Sequence, residues 1–195
     1  MERLQVYIMS IKFKQERMIE MDRMIETFLK NNKIDIKVPV DVFEVASLLG
    51  FDVRGAEFRE SLEGLLLVDE NSEKIIGFDS NKVIAYNCKK DIYMKKFIVA
   101  HELAHYIKEK SMSDDKKIVL ARREHQGEYS NNEAEQEMDY MAASILMPRK
   151  DFEKQFGKKN KNITDEKFIY TVAARYNVNN EMAQRRIEEV LNGGE

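Results

Sequence analysis

The chain of 195 residues is long enough for one domain built around a single hydrophobic core. Hydrophobic residues at 43% and charged residues at 34% exclude a disordered tail, and a net charge of −3 excludes overall attraction to nucleic acid or to an anionic membrane. A single cysteine, Cys88, excludes an internal disulfide and a cysteine-based structural metal site, so a reducing, cytoplasmic setting is expected.

In chain order, the first apolar stretch, Val6 to Ile11, is broken by Ser10 and followed by Lys12, too short for a signal peptide core or a membrane span. From Met18 the residues Met18, Met21, Ile25 and Phe28 recur at helical spacing, with Glu16, Arg17, Asp22 and Arg23 on the other side. The apolar face of this amphipathic helix is expected to pack in the core, with a partner-docking or dimer face as the alternative, and the polar run Asn31 to Lys37 makes residues 1–37 a semi-detached N-terminal extension. A second helix starts at Pro39-Val40-Asp41, where Asp41 and Glu44 have capping-box spacing and Gly50 is placed to end it. A short strand at Phe51 to Val53 follows. Leu65 to Val68, Lys74 to Phe78 and Val83 to Tyr86 then read as three strands separated by turn-rich runs, which predicts an antiparallel meander. A helix is expected from Asp91 to Glu109, and the polar stretch after it, up to Asn132, reads as loop. Further helices are expected up to Met147 before Pro148, from Thr164 to Tyr176 and from Asn179 to Leu191. The fold class is therefore α+β, a small antiparallel three-stranded sheet packed with a helical bundle.

Two of the three histidines, His101 and His105, stand at i and i+4 in the apolar run from Phe97 to Tyr106, with Glu102 after the first. On a helix this spacing points both imidazoles at one ion, while Glu102 lies to the side, where it can reach a water on that ion and take its proton. Two imidazoles with a carboxylate in an open tetrahedral site favour zinc. The metzincin extension would put glycine at the position of Lys108 and histidine at that of Ser111, so a third ligand must come from elsewhere. The helix before Pro148 offers Glu133, Glu135, Glu137 and Asp139. Glu135 and Asp139 lie one turn apart, which suits an arrangement in which Glu135 binds the metal and Asp139 accepts the N–H of a ligand histidine; Glu133 and Glu137 are the alternatives. For a further donor to a developing oxyanion, the candidates are Tyr106, Tyr129, Tyr140 and His125, the last read as an exposed loop residue.

The runs "PVDVFEVASLLGFDV", "FIVAHELAHYI" and "EQEMDYMAASILMP" together resemble the ImmA/IrrE family of zinc metallopeptidases over roughly Val38 to Phe152. The resemblance implies a zincin-like peptidase unit over residues 38–195, with His101, His105 and Glu135 as zinc ligands and Glu102 as catalytic carboxylate. Ala104 stands where glycine is frequent and Met138 where alanine is frequent; neither removes a ligand. The resemblance further implies a protein substrate, a helix-turn-helix transcriptional repressor of a mobile element or stress regulon. The competing reading is a DNA-binding or repressor- or antitoxin-binding regulator with a non-catalytic metal site. In that reading "VAARYNVNNEMAQRRI", within the C-terminal helix pair of residues 160–195, forms a helix-turn-helix whose Arg185 and Arg186 face phosphate. Glu181, Glu188 and Glu189 offset those arginines and disfavour nucleic acid.

Overall fold

The computed structural model describes residues 2–58, 62–112, 119–125, 133–157 and 163–191. In these the order is α1 (Glu2–Asn31), α2 (Val42–Leu48), β1 (Asp52–Ala56), β2 (Leu62–Asp69), β3 (Lys82–Asn87), α3 (Ile92–Met112), β4 (Val119–His125), α4 (Glu133–Leu146), α5 (Arg149–Phe156), α6 (Glu166–Tyr176) and α7 (Asn180–Leu191).

Local chemistry sets several of these boundaries. Asp41 caps α2 by accepting from the backbone N–H groups of Phe43 and Glu44, at 3.1 and 3.2 Å, and Gly50, at φ 84°, turns the chain away after it. Asp91 caps α3 in the same way through Tyr93 and Met94. Asp165 caps α6, and Asn177 in the left-handed conformation ends it.

The sheet differs from the expected antiparallel trio. It has four strands in the order β1-β3-β2-β4, with β1 parallel to β3 and the other two pairings antiparallel. Lys74–Phe78 is not a strand but part of the β2–β3 connection, where Asp69 accepts from the N–H of Asn71 and the hydroxyl of Ser72. Gly77 at φ 88° bends this segment, and Ile76 stands 99% exposed. The fourth strand, β4, arises from the polar stretch expected to be loop, and places the backbone of His125 opposite Leu62.

Helix α3 is the centre of the molecule, packed on β2 and β3 and against α1, α2 and α4. Leu103 and Ile107, each 0% exposed, contribute about 1.5–3 kcal/mol apiece, so packing holds this helix despite the charged groups it carries. Ala100, Ala104 and Ala142 are fully buried and small, which lets α3 and α4 approach closely. The second half of α1 is integral to this core: Met21, Ile25 and Leu29 are buried in the same cluster as α3 and α4, so the polar run after it does not set that half apart.

Candidate metal centre

The side chains at the centre are supplied by two facing helices. His101 and His105 follow one another along the buried stripe of α3, with ring centroids 4.9 Å apart, and Glu135 and Asp139 stand one turn apart on α4. His105 Nε2 is 3.2 Å from His101 Nε2; Glu135 Oε2 is 3.2 Å from His101 Nε2 and 3.4 Å from His105 Nε2. A tetrahedral zinc with bonds of about 2.0–2.1 Å sets its ligand atoms ~3.3 Å apart, so this triangle has the size of one face of such a site. The donor set and its spacing fit a metal ion, and these three residues form a group able to hold one.

Asp139 Oδ1 lies 3.0 Å from His101 Nδ1. With Nδ1–H donating to that carboxylate, Nε2 keeps its lone pair for the centre of the triangle. Burial opposes a positive charge on His101, but the hydrogen bonds to Asp139 and Glu135 and the nearby Glu102 charge outweigh it and raise the pKa to about 10. Surroundings that favour one positive charge so strongly suit a cation between the rings and the carboxylate.

The acids named as alternatives point elsewhere. Glu137 accepts from Lys108 at 2.8 Å and pairs with Arg17 of α1, and Glu133 is exposed. Of the candidate oxyanion donors, Tyr106 is tied to Glu70 and Lys82, and Tyr140 donates to Asp22 at 2.6 Å, so both hydroxyls are directed away from the triangle. Tyr129 and the side chain of His125 lie outside the described residues.

Glu102 is fully buried at the side of the triad, as its position after His101 dictates. Strand β2 passes it at Gly64, where an added Cβ would overlap Glu102 Oε1 and come within 2.8 Å of Ile98 Cγ2. Only a residue without a side chain leaves that carboxylate its place. Sequence reasoning misses Gly64; its one signal is a glycine inside an otherwise apolar strand.

Of the two C-terminal arginines, Arg186 does not take the position that phosphate contact requires. Arg186 is 0% exposed, donates to the Met147 carbonyl and to Asp22, and lies over the Tyr140 ring, so it cannot face phosphate. Arg185 turns to Asp139 and Glu189. Arg186 runs inward because Asp22, distant in sequence, offsets its charge there, whereas Arg185 stays 29% exposed and pairs with Asp139 at 3.6 Å.

Among the described residues, cavity size does not mark this centre. The opening beside His105 and Glu135, lined also by Lys108, Met112 and Met138, is about 90 Å³. A groove of about 830 Å³ lies instead between the end of α1 and the start of α5 and contains none of the triad. No helix of the described residues is long and apolar enough to cross a membrane.

No curated protein shows significant similarity to the chain. The sequence profile of the IrrE N-terminal-like domain, a peptidase family, matches residues 60–188, a span that contains α3, α4 and every residue of the triangle. On a match covering well over half its length, the chain belongs to that ImmA/IrrE peptidase family.

Proposed function

We propose that the protein is a cytoplasmic zinc-dependent endopeptidase of zincin-like fold, with His101, His105 and Glu135 as metal ligands, Asp139 orienting His101, and Glu102 as the catalytic carboxylate. Residues 38–195 carry the peptidase unit, and residues 1–37 are a helical extension whose second half packs onto it. The observation that carries this reading is the triangle of two Nε2 atoms and one Oε2 at 3.2–3.4 Å, beside a buried glutamate.

Bound zinc supplies a Lewis acid that acidifies water and polarises the scissile carbonyl. Glu102 accepts a proton from the attacking water as it adds to the carbonyl carbon, then delivers that proton to the amine nitrogen as the C–N bond breaks. Gly64 leaves the room that this carboxylate occupies. Asp139 holds the His101 ring in one tautomer throughout. The substrate is a protein, and the resemblance to ImmA/IrrE peptidases favours a helix-turn-helix repressor of a mobile element or stress regulon. The buried Arg186 and the ion pairing of Arg185 with Asp139 and Glu189 weigh against the DNA-binding alternative.

The test is incubation of the purified protein with the helix-turn-helix regulator encoded beside its gene, with and without a chelator. Discrete fragments that vanish with chelator are expected. Glu102→Gln should lower cleavage by about 10²–10⁴-fold while zinc content stays at the wild-type level. Cleavage at the wild-type rate by that variant would remove Glu102 from its role.

A further inference from the structure

The geometry points to Arg185 as a positioning residue of the metal centre: α7 holds Asp139, and through Asp139 the ring of His101. This rests on the metal reading above.

The carboxylate of Asp139 is 9% exposed, so both its oxygens need partners within the protein. Oδ1 faces His101 Nδ1 at 3.0 Å, and Oδ2 lies 3.6 Å from Arg185 Nη1. Arg185 is itself anchored one turn on, its Nε 3.2 Å from Glu189 Oε1. Glu189 is 10% exposed and takes Arg186 on its other oxygen at 3.5 Å. A guanidinium can serve two carboxylates at once because its donors diverge in one rigid plane; a lysine ammonium at the end of a flexible stem does not fix that geometry. The chain of contacts thus runs from Glu189 through Arg185 and Asp139 to His101. If Asp139 turned about its last torsion, the angle at which it meets Nδ1 would change, and with it the direction of the Nε2 lone pair. Arg185 opposes that rotation. The C-terminal arginine pair, which by sequence alone suggests phosphate contacts, then has two tasks within the fold, Arg186 in the core and Arg185 beside the metal centre.

The probe is zinc itself. Metal-free full-length protein is titrated with zinc against a chromophoric chelator, and cobalt(II) is substituted to record its visible absorption. Wild-type protein should bind one zinc per chain. Arg185→Met should weaken zinc by about tenfold, the lower end of what groups behind a ligand contribute, and shift the cobalt(II) band. Arg185→Lys should fall between the two. In an Asp139→Ala background Arg185→Met should add no further loss, because the path to His101 is already cut. Unfolding of the metal-free variants, followed by circular dichroism, separates any loss of helix packing from the metal effect. Wild-type affinity and spectrum in a folded Arg185→Met protein, or a loss that adds in full to that of Asp139→Ala, would overturn the assignment of Arg185 alone. Failure of wild-type protein to take up zinc would overturn the metal reading beneath it.

Discussion

Helix α4 carries a polar cluster on each of two faces, and they are built on opposite plans. Around Asp22, one carboxylate receives Tyr140 and Ser144 at 2.6 Å, Arg149 at 2.5 Å and Arg186 at 3.1 Å, so acceptors and donors within the protein balance. Around His101, two ring nitrogens and a carboxylate oxygen lie 3.2–3.4 Å from one another and form a group able to hold a metal ion. Both clusters are buried and both draw residues from distant parts of the chain. What separates them is completeness of charge: the first is closed by its own arginines and ties α1, α5 and α7 to α4, whereas the second could hold a cation. Burial of charged groups therefore marks neither structure nor function until donors and acceptors are matched.

The strongest way to break this comparison is to unbalance the first cluster. Asp22→Ala takes from the fully buried Arg186 its Asp22 carboxylate and should cost about 3–5 kcal/mol in denaturant unfolding. Zinc affinity of the folded fraction should be unchanged; a loss as large as that of an Asp139 variant would show that the clusters are not separable. Gly64→Ala should cost about 1–3 kcal/mol by overpacking. Turnover should fall while zinc content is kept, because the new methyl group meets Glu102 and not the triangle. Asp139→Ala is the converse of the Asp22 change: a loss of about 10–100-fold in zinc affinity, measured by chelator competition, with a smaller effect on stability of the metal-free protein.

The smallest effect is a pH dependence. Burial pushes the Asp22 carboxyl up, but Arg186 and the hydrogen bonds from Ser144, Tyr140 and Arg149 more than offset it and hold the group below its ordinary value of 3.8. The unfolded chain therefore takes up the proton first, and the stabilisation from Asp22, fully present above pH 3.8, is lost as pH falls through the lower folded value. Urea midpoints measured from about pH 5 down to about pH 2 should decline, and Asp22→Asn should flatten the share of that decline due to this one proton.

Much of the helical part is legible because its signals are local. The Asp41 cap, Gly50, the α3 stripe and Pro148 each act within a few residues of where they stand. Spacing of one helical turn sets His101 beside His105 and Glu135 beside Asp139, while the choice of Glu135 over Glu133 and Glu137 stays open on spacing and comes from the family resemblance. Strand β4 escapes such reading since its pairing with β2 is made by backbone groups, and Arg122, Arg123 and Glu124 give no apolar alternation. Ile75 and Ile76 mislead in the opposite sense, as an apolar pair placed by Gly77 in a turn. The inward course of Arg186 depends on Asp22, 164 positions away, and no window along the chain contains both.

That last contact has a consequence for what counts as the unit of inheritance and what counts as the unit of folding. The family match begins at residue 60, yet the guanidinium of Arg186 inside that span is neutralised by an acid contributed from residue 22. Cut back to the borders of that match, the polypeptide would keep every group of the triangle but lose both acids that pair with the buried Arg186, Asp22 before the match and Glu189 just after it. The lineage can be traced without α1, but the charge buried in α7 is balanced only across the borders of the match.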